Sequence, residues 1–176
     1  MKIIYRKLHE DTLIPAQQTE GAACSDVFAY LKNTLEVSAY NKFNQTKTIT
    51  VINRIQDSYI DIQAGWRVLV PTGWSVKLPH DYSIRLYSRS GLALKQGLVV
   101  GNSVGIVDSD YEFQVFVIVS NISESLIRIK HQDRIAQLDY VKNLHNSFDY
   151  DIVSMSDQEW FSQMLSRKGG FGSTGK

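Results

Sequence analysis

No stretch of this chain stays apolar long enough to build a long helix. Instead, short alternating or β-branched runs recur, each cut off by a turn signal. Strand-like runs fall at residues 2–8, 49–55, 59–62, 66–71, 74–78, 82–87, 98–100, 126–130 and 134–141. Residues 113–119 are apolar at nearly every position, which predicts a central strand buried on both faces. Gly65, Pro71-Thr-Gly73, Pro79-His-Asp81, Gly101-Asn102 and Asp108-Ser-Asp110 punctuate these runs. This cadence predicts an all-β protein, a jelly roll or distorted barrel of many short strands. With 176 residues, 43% of them hydrophobic, there is material for one domain with a sizeable core.

Two regions break the cadence. Residues 32–47 are polar and rich in Asn, Lys and Thr, and read as an exposed insertion leading into a hairpin. Residues 156–166 carry Asp157 and Glu159 behind a serine and predict one short helix. The expected layout is one domain over residues 1–166, with an insertion near 32–58, followed by a flexible lid at 167–176. That lid contains Gly169-Gly-Phe-Gly-Ser-Thr-Gly175. Glycines around a lone aromatic ring cost backbone entropy and bury little, so this segment is expected to order only around a ligand. Its amides suit an anion and Phe171 suits something flat, which points to a nucleotide. The tail also matches the first part of a P-loop, but no Ser or Thr follows Lys176 to hold a metal, so that reading is rejected.

Nineteen Lys and Arg face eighteen Asp and Glu, a balance unlike that of a non-specific nucleic-acid binder. There is no signal-like or membrane-length apolar run, and a soluble, cytoplasmic protein is expected. One cysteine, Cys24, allows no internal disulfide and is expected to be a small buried apolar group. The four histidines are far apart, lack metal-ligand spacing and are expected on surfaces and turns. Trp66, Trp74 and Trp160 are expected in the core.

Several constellations carry possible chemistry. Arg89-Ser90-Gly91 lies where a strand ends and a helix can start, a plausible phosphate cradle and equally an ordinary β-to-α corner. In Gly101-Asn-Ser-Val-Gly-Ile-Val-Asp-Ser-Asp-Tyr111, Asn102 can pair with a base edge, Asp108 can serve as a general base on water, and Tyr111 can lie on a sugar. A surface hairpin with an Asx-type turn fits the same residues equally well. Asp133-Arg134-Ile-Ala-Gln137 places polar groups at a strand start, where Gln137 can donate to a substrate or simply sit at a sheet edge. Asp26 is a lone acid in an apolar stretch, explained by a strand-end turn or by a nearby metal.

Taken in order, these segments resemble the motifs of the trimeric dUTP pyrophosphatases (dUTPases). Ala23-Cys-Ser-Asp26-Val is similar to the first motif and Arg89-Ser-Gly-Leu-Ala93 to the second. The 101–111 segment is similar to the third, Asp133-Arg-Ile-Ala-Gln-Leu138 to the fourth, and the glycine-rich tail to the fifth. The resemblance implies hydrolysis of dUTP to dUMP and pyrophosphate. In it, Asp108 activates water for attack on the α-phosphorus. Asn102 and the backbone of Gly105, Ile106 and Val107 read uracil. Tyr111 packs on deoxyribose and excludes a 2′-hydroxyl, and Phe116 is counted with the substrate-binding residues. Arg89, Ser90, Gly91 and Gln137 hold phosphates, with Arg167 toward the γ-phosphate. Phe171 stacks on the base while Gly172, Ser173 and Thr174 close over the phosphates. Asp26 meets Mg2+ through water.

A homotrimer with shared sites is also implied, without nucleic-acid or membrane partners. The chain departs from the family at Phe113, where glycine is usual, and at Glu112, Gln114, Gln132 and Ser88. Arg167 is one residue closer to the phenylalanine than is usual. Two alternatives remain. A dCTP deaminase shares the fold but needs an acid along the central strand, and residues 115–119 have none. A regulatory protein of the same fold would bind a protein partner through the insertion.

Overall fold

The computed structural model describes residues 2–54, 57–144, 156 and 158. Among them the elements run β1 Ile4–Lys7, β2 Ser25–Phe28, β3 Glu36–Tyr40, β4 Thr46–Thr50, β5 Ile52–Asn53, β6 Ser58–Ile62, β7 Arg67–Pro71, β8 Trp74–Lys77 and β9 Tyr82–Tyr87. They continue with α1 Ser90–Gln96, β10 Leu98–Val100, β11 Gly105–Val107, β12 Phe116–Asn121, β13 Ile127–Lys130 and β14 Arg134–Lys142. A five-stranded sheet has the order β10-β12-β7-β3-β4, and a four-stranded sheet the order β11-β9-β14-β2. Two smaller sheets, β13-β6-β5 and β1-β8, complete the set. Each of these strand pairs is antiparallel. This is the all-β jelly roll expected from the cadence.

Alternation decides which side chains fill the space between the sheets. Val68 and Val70 of β7, Val117 and Val119 of β12, Ile84 and Leu86 of β9 and Ala136 and Leu138 of β14 all point inward. Trp74 and Ile60 reach the same cluster from the smaller sheets. Gly73 closes the Pro71-Thr-Gly turn with φ +77, and a Cβ there would stand 2.8 Å from both Thr12 Oγ1 and the Tyr30 ring. Only glycine fits that conformation and that gap.

Four expectations need correction. The run 113–119 is not buried on both faces. β12 starts at Phe116, and Phe116 and Ile118 are each 37% exposed, facing outward opposite Val117 and Val119. Residues 32–47 are not simply an exposed insertion. They supply β3 and the first two residues of β4, neighbouring strands of the five-stranded sheet, with Val37 and Ala39 in the core. The hairpin tip is shaped by Asn41, whose Oδ1 accepts N–H bonds from Phe43 and Gln45. The described part of the 49–55 run, residues 49–54, belongs to two strands, broken where Val51 turns inward. Cys24 is only half-buried, because it lines a surface cleft rather than the core.

His131 differs from His9 and His80, which are exposed. Its side chain is mostly covered, and its Nδ1 accepts the Leu31 N–H at 3.2 Å. Trp74 is fully buried and Trp66 packs against the core edge. Trp160 and nearly all of the helix expected at 156–166 lie outside the described residues. The expected boundary at 166 and the lid, with Arg167, Phe171, Gly172, Ser173 and Thr174, lie outside them too.

Candidate active site

Of the expected site residues that are described, all but Asp108 line one of two clefts. The first, of about 250 Å3, opens where β11 of one sheet approaches β12 of the other. It brings together Asn102, Gly105, Ile106, Val107, Tyr111 and Phe116 over an apolar floor that includes Leu86 and Val117. The close approach of strands here depends on small residues. A Cβ on Gly101 would stand 2.6 Å from Ser120 Oγ and 3.0 Å from Ile118 Cγ2. That leaves Asn102 at the cleft in a tight turn, with Ser103 in the left-handed region at φ 64. Among the described residues nothing engages the Asn102 amide, so its donor and acceptor remain available to a ligand.

Asp108 follows β11 directly, one residue beyond Val107, and is exposed. Its carbonyl accepts the Tyr111 N–H at 3.2 Å, and the neighbouring Ser109 hydroxyl donates to the His80 carbonyl at 3.1 Å. The turn carrying the candidate base is therefore pinned on both sides. Tyr111 is held by its hydroxyl, which donates to the Gln114 carbonyl at 2.9 Å, and by the Phe113 ring, edge-on at 5.8 Å between centroids.

The second cleft, of about 280 Å3, is polar and is lined by Gln18, Cys24, Asp26, Arg89, Ser90, Gly91, Arg134 and Gln137, among others. Asp26 is its anchor. One carboxylate oxygen takes Arg89 Nε at 2.9 Å and the other takes Arg134 Nη1 at 3.1 Å, with the Asp26 side chain only 9% exposed. Arg89 is held a second time, from Nη1 to the Arg134 carbonyl at 3.0 Å. Burying a carboxylate is costly unless it is paired, and here two guanidinia pair it. In return it fixes both arginines in a cleft that carries net positive charge.

Gln137 sits opposite Asp26 in the β14–β2 register and donates to the Ser88 carbonyl at 3.0 Å. Ser88 also receives the Val100 N–H on its hydroxyl at 2.8 Å, tying the end of β9 to β10. A proline at this position has no such acceptor. The Cys24 thiol is pushed up by burial and then by the nearby Asp139 charge, so it stays protonated.

Arg134 is the site residue that sequence reasoning missed. It stands in the motif containing Gln137, and the legible signal was its position at the start of the strand that pairs with the one bearing Asp26. Among the described residues no cluster of three His, Cys, Asp or Glu converges on a point. The described protein groups thus fit a metal carried by an anionic ligand rather than one held by side chains alone.

Comparison with known proteins bears on what these clefts take. The dUTPase family model matches residues 55–175. A deoxyuridine 5'-triphosphate nucleotidohydrolase of Hydrogenobaculum sp. is 33% identical over 175 residues, covering 99% of each chain. One of Heliobacterium modesticaldum is 31% identical over 178 residues, covering 99% of this chain and 97% of the other. A dUTPase of Staphylococcus bacteriophage 80alpha, solved with dUpNHpp, shares the fold at a TM-score of 0.65 and 17% identity, covering 99% of each chain. The sequence motifs, the jelly roll and the two clefts converge with these matches: this chain belongs to the dUTPase family.

Proposed function

We propose that the protein hydrolyses dUTP to dUMP and pyrophosphate. The observation that carries this reading is the division of labour between the clefts. One is apolar with an open amide edge, and an exposed acid, Asp108, follows directly on its lining residue Val107; the other is an arginine cradle. A pyrimidine nucleoside suits the first and a triphosphate the second.

Uracil enters between β11 and β12, where Asn102 and the backbone of Gly105, Ile106 and Val107 meet its polar edge. Tyr111 lies against the deoxyribose, and Phe116 closes the apolar wall. Asp108 takes a proton from water as the water oxygen bonds to the α-phosphorus. The bond from that phosphorus to the bridging oxygen breaks, and pyrophosphate leaves with the electron pair. Arg89, Ser90, Gly91, Gln137 and Arg134 hold the phosphate oxygens and oppose the charge that builds there. Mg2+, where bound, neutralises triphosphate charge; Asp26 would face it only through water, since guanidinia already occupy both its oxygens.

The two clefts are separate pockets on one chain, which supports a trimer in which each site combines the first cleft of one copy with the second of another. Residues 167–176 then serve as a lid. Arg167 approaches the γ-phosphate, Phe171 covers the base, and Gly172, Ser173 and Thr174 close on the phosphates.

The test is pyrophosphate release from dUTP, UTP, dCTP and dTTP with magnesium present. Strong preference for dUTP, lost on Asp108→Asn with nucleotide binding kept, supports the reading. Equal turnover of dUTP and UTP, or full activity in Asp108→Asn, contradicts it.

A further inference from the structure

Phe113 has no place in the reaction above, yet it is the most exposed large ring near the first cleft, 76% accessible. It does not line the cleft. Its contact is with Tyr111, centroids 5.8 Å apart and ring planes at 69°, an edge-to-face geometry in the favourable range. Tyr111 itself is 38% exposed and forms part of the cleft wall. Two contacts fix its ring. The hydroxyl donates to the Gln114 carbonyl at 2.9 Å, and the face-to-edge contact with Phe113 supports the body of the ring. Both come from the same short turn, 112–114. Without Phe113 the ring is still held at its Cβ and its hydroxyl but loses the lateral support that stops it tilting between those two points.

We propose that Phe113 is a positioning residue for sugar selectivity: it braces Tyr111 from outside the cleft, so that the wall against the sugar does not yield to a 2′-hydroxyl. The proposal rests on the dUTP-hydrolysis reading, because it needs Tyr111 to face the sugar. The physical basis is that a steric filter discriminates only as well as its wall resists displacement. A ring free to tilt by a fraction of an ångström admits the extra oxygen, whereas a ring with that lateral support does not. Since Phe113 is largely exposed, truncating it leaves the core intact.

The experiment measures kcat/KM for dUTP and for UTP in the wild-type protein, Phe113→Ala, Phe113→Tyr, Tyr111→Ala and the double variant Tyr111→Ala/Phe113→Ala. Phe113→Ala is expected to lower the dUTP-to-UTP ratio by about two- to tenfold, the worth of one aromatic edge contact. The change should come from improved use of UTP, with little change in kcat on dUTP. Phe113→Tyr should restore the ratio. The double variant should be no less selective than Tyr111→Ala alone, because Phe113 acts through Tyr111.

If Tyr111→Ala lowers the ratio and Phe113→Ala does not, the brace is overturned and the dUTP-hydrolysis reading stands. If Phe113→Ala slows both substrates equally, or adds its own factor to Tyr111→Ala, the brace is likewise overturned. If the wild-type protein shows no preference for dUTP, or Tyr111→Ala leaves the preference untouched, the underlying reading fails and takes the proposal with it.

Discussion

At the scale of single residues, two carboxylates of the expected site have opposite environments. Asp26 is covered and bonded on both oxygens; Asp108 is exposed on a pinned turn. In the proposed reaction it is the second, with its oxygens unpaired among the described residues, that accepts a proton from water. Asp108→Asn is therefore expected to reduce kcat on dUTP by about a hundred- to ten-thousandfold, with nucleotide affinity measured by calorimetry nearly unchanged. Asp26→Ala should behave differently. It leaves Arg89 and Arg134 without their shared counter-charge and should cost about 2 kcal/mol of stability, below the penalty for a fully buried pair because both arginines can turn toward water. Urea titration measures that loss. The same variant should raise KM for dUTP more than it lowers kcat, because the cradle loses its shape while the base keeps its place.

Elements decide how close these residues come to one another. The first cleft exists because β10 and β12 approach where Gly101 has no side chain. Gly101→Ala is expected to cost about 1–3 kcal/mol, since the new methyl meets Ser120 Oγ and the stiff Ile118 Cγ2. Pairing it with Ser120→Ala should recover part of that loss in a double-mutant urea series. Gly101→Ala should also weaken dUTP binding, because it shifts the adjacent Asn102.

Much at this scale was legible in sequence. Strands at 82–87 and 98–100 form where alternation and turn residues placed them, and the Arg89-Ser90-Gly91 corner does open a helix. A hairpin was expected here, but not that β3 packs one face into the core, because the Asn, Lys and Thr content hides an alternation carried by Val37 and Ala39 alone. The outward face of β12 was missed for the converse reason. Phe116 and Ile118 are as apolar as Val117 and Val119, so composition cannot show that one face is left partly uncovered and walls a cleft. Arg134 went unread because its importance depends on a cross-strand partner, Asp26, that is 108 residues away.

For the molecule as a whole, pH links folding to a group far from the clefts' chemistry. His131 accepts the Leu31 N–H on Nδ1, so the neutral ring carries its proton on Nε2, toward Asp11. Burial, partly opposed by the Asp11 charge, holds its pKa below the usual 6.5. The unfolded chain then binds this proton first as pH falls, so the contribution of His131 is complete above about 6.5 and is lost below it. Urea midpoints should drop between pH 7.5 and pH 5.5, and His131→Gln should flatten that slope. Asp11 acts in a lower window. Hydrogen bonding from Lys32, with a further bond from Tyr30, lowers its pKa from 3.8 to about 2, so its contribution holds above 3.8 and fades toward 2.

The division of the site between two clefts makes the whole-molecule claim testable by mixing chains. In the proposed site, Asp108→Asn removes the base and Arg89→Ala removes an arginine of the second cleft. Each variant alone should release little pyrophosphate from dUTP. Unfolded together in equal amounts and refolded, with mixed oligomers verified by native mass measurement, they should regain a substantial fraction of wild-type activity, because some sites then pair an intact Asp108 with an intact Arg89 from different copies. A mixture as inactive as its parents, in oligomers shown to contain both chains, would contradict the account.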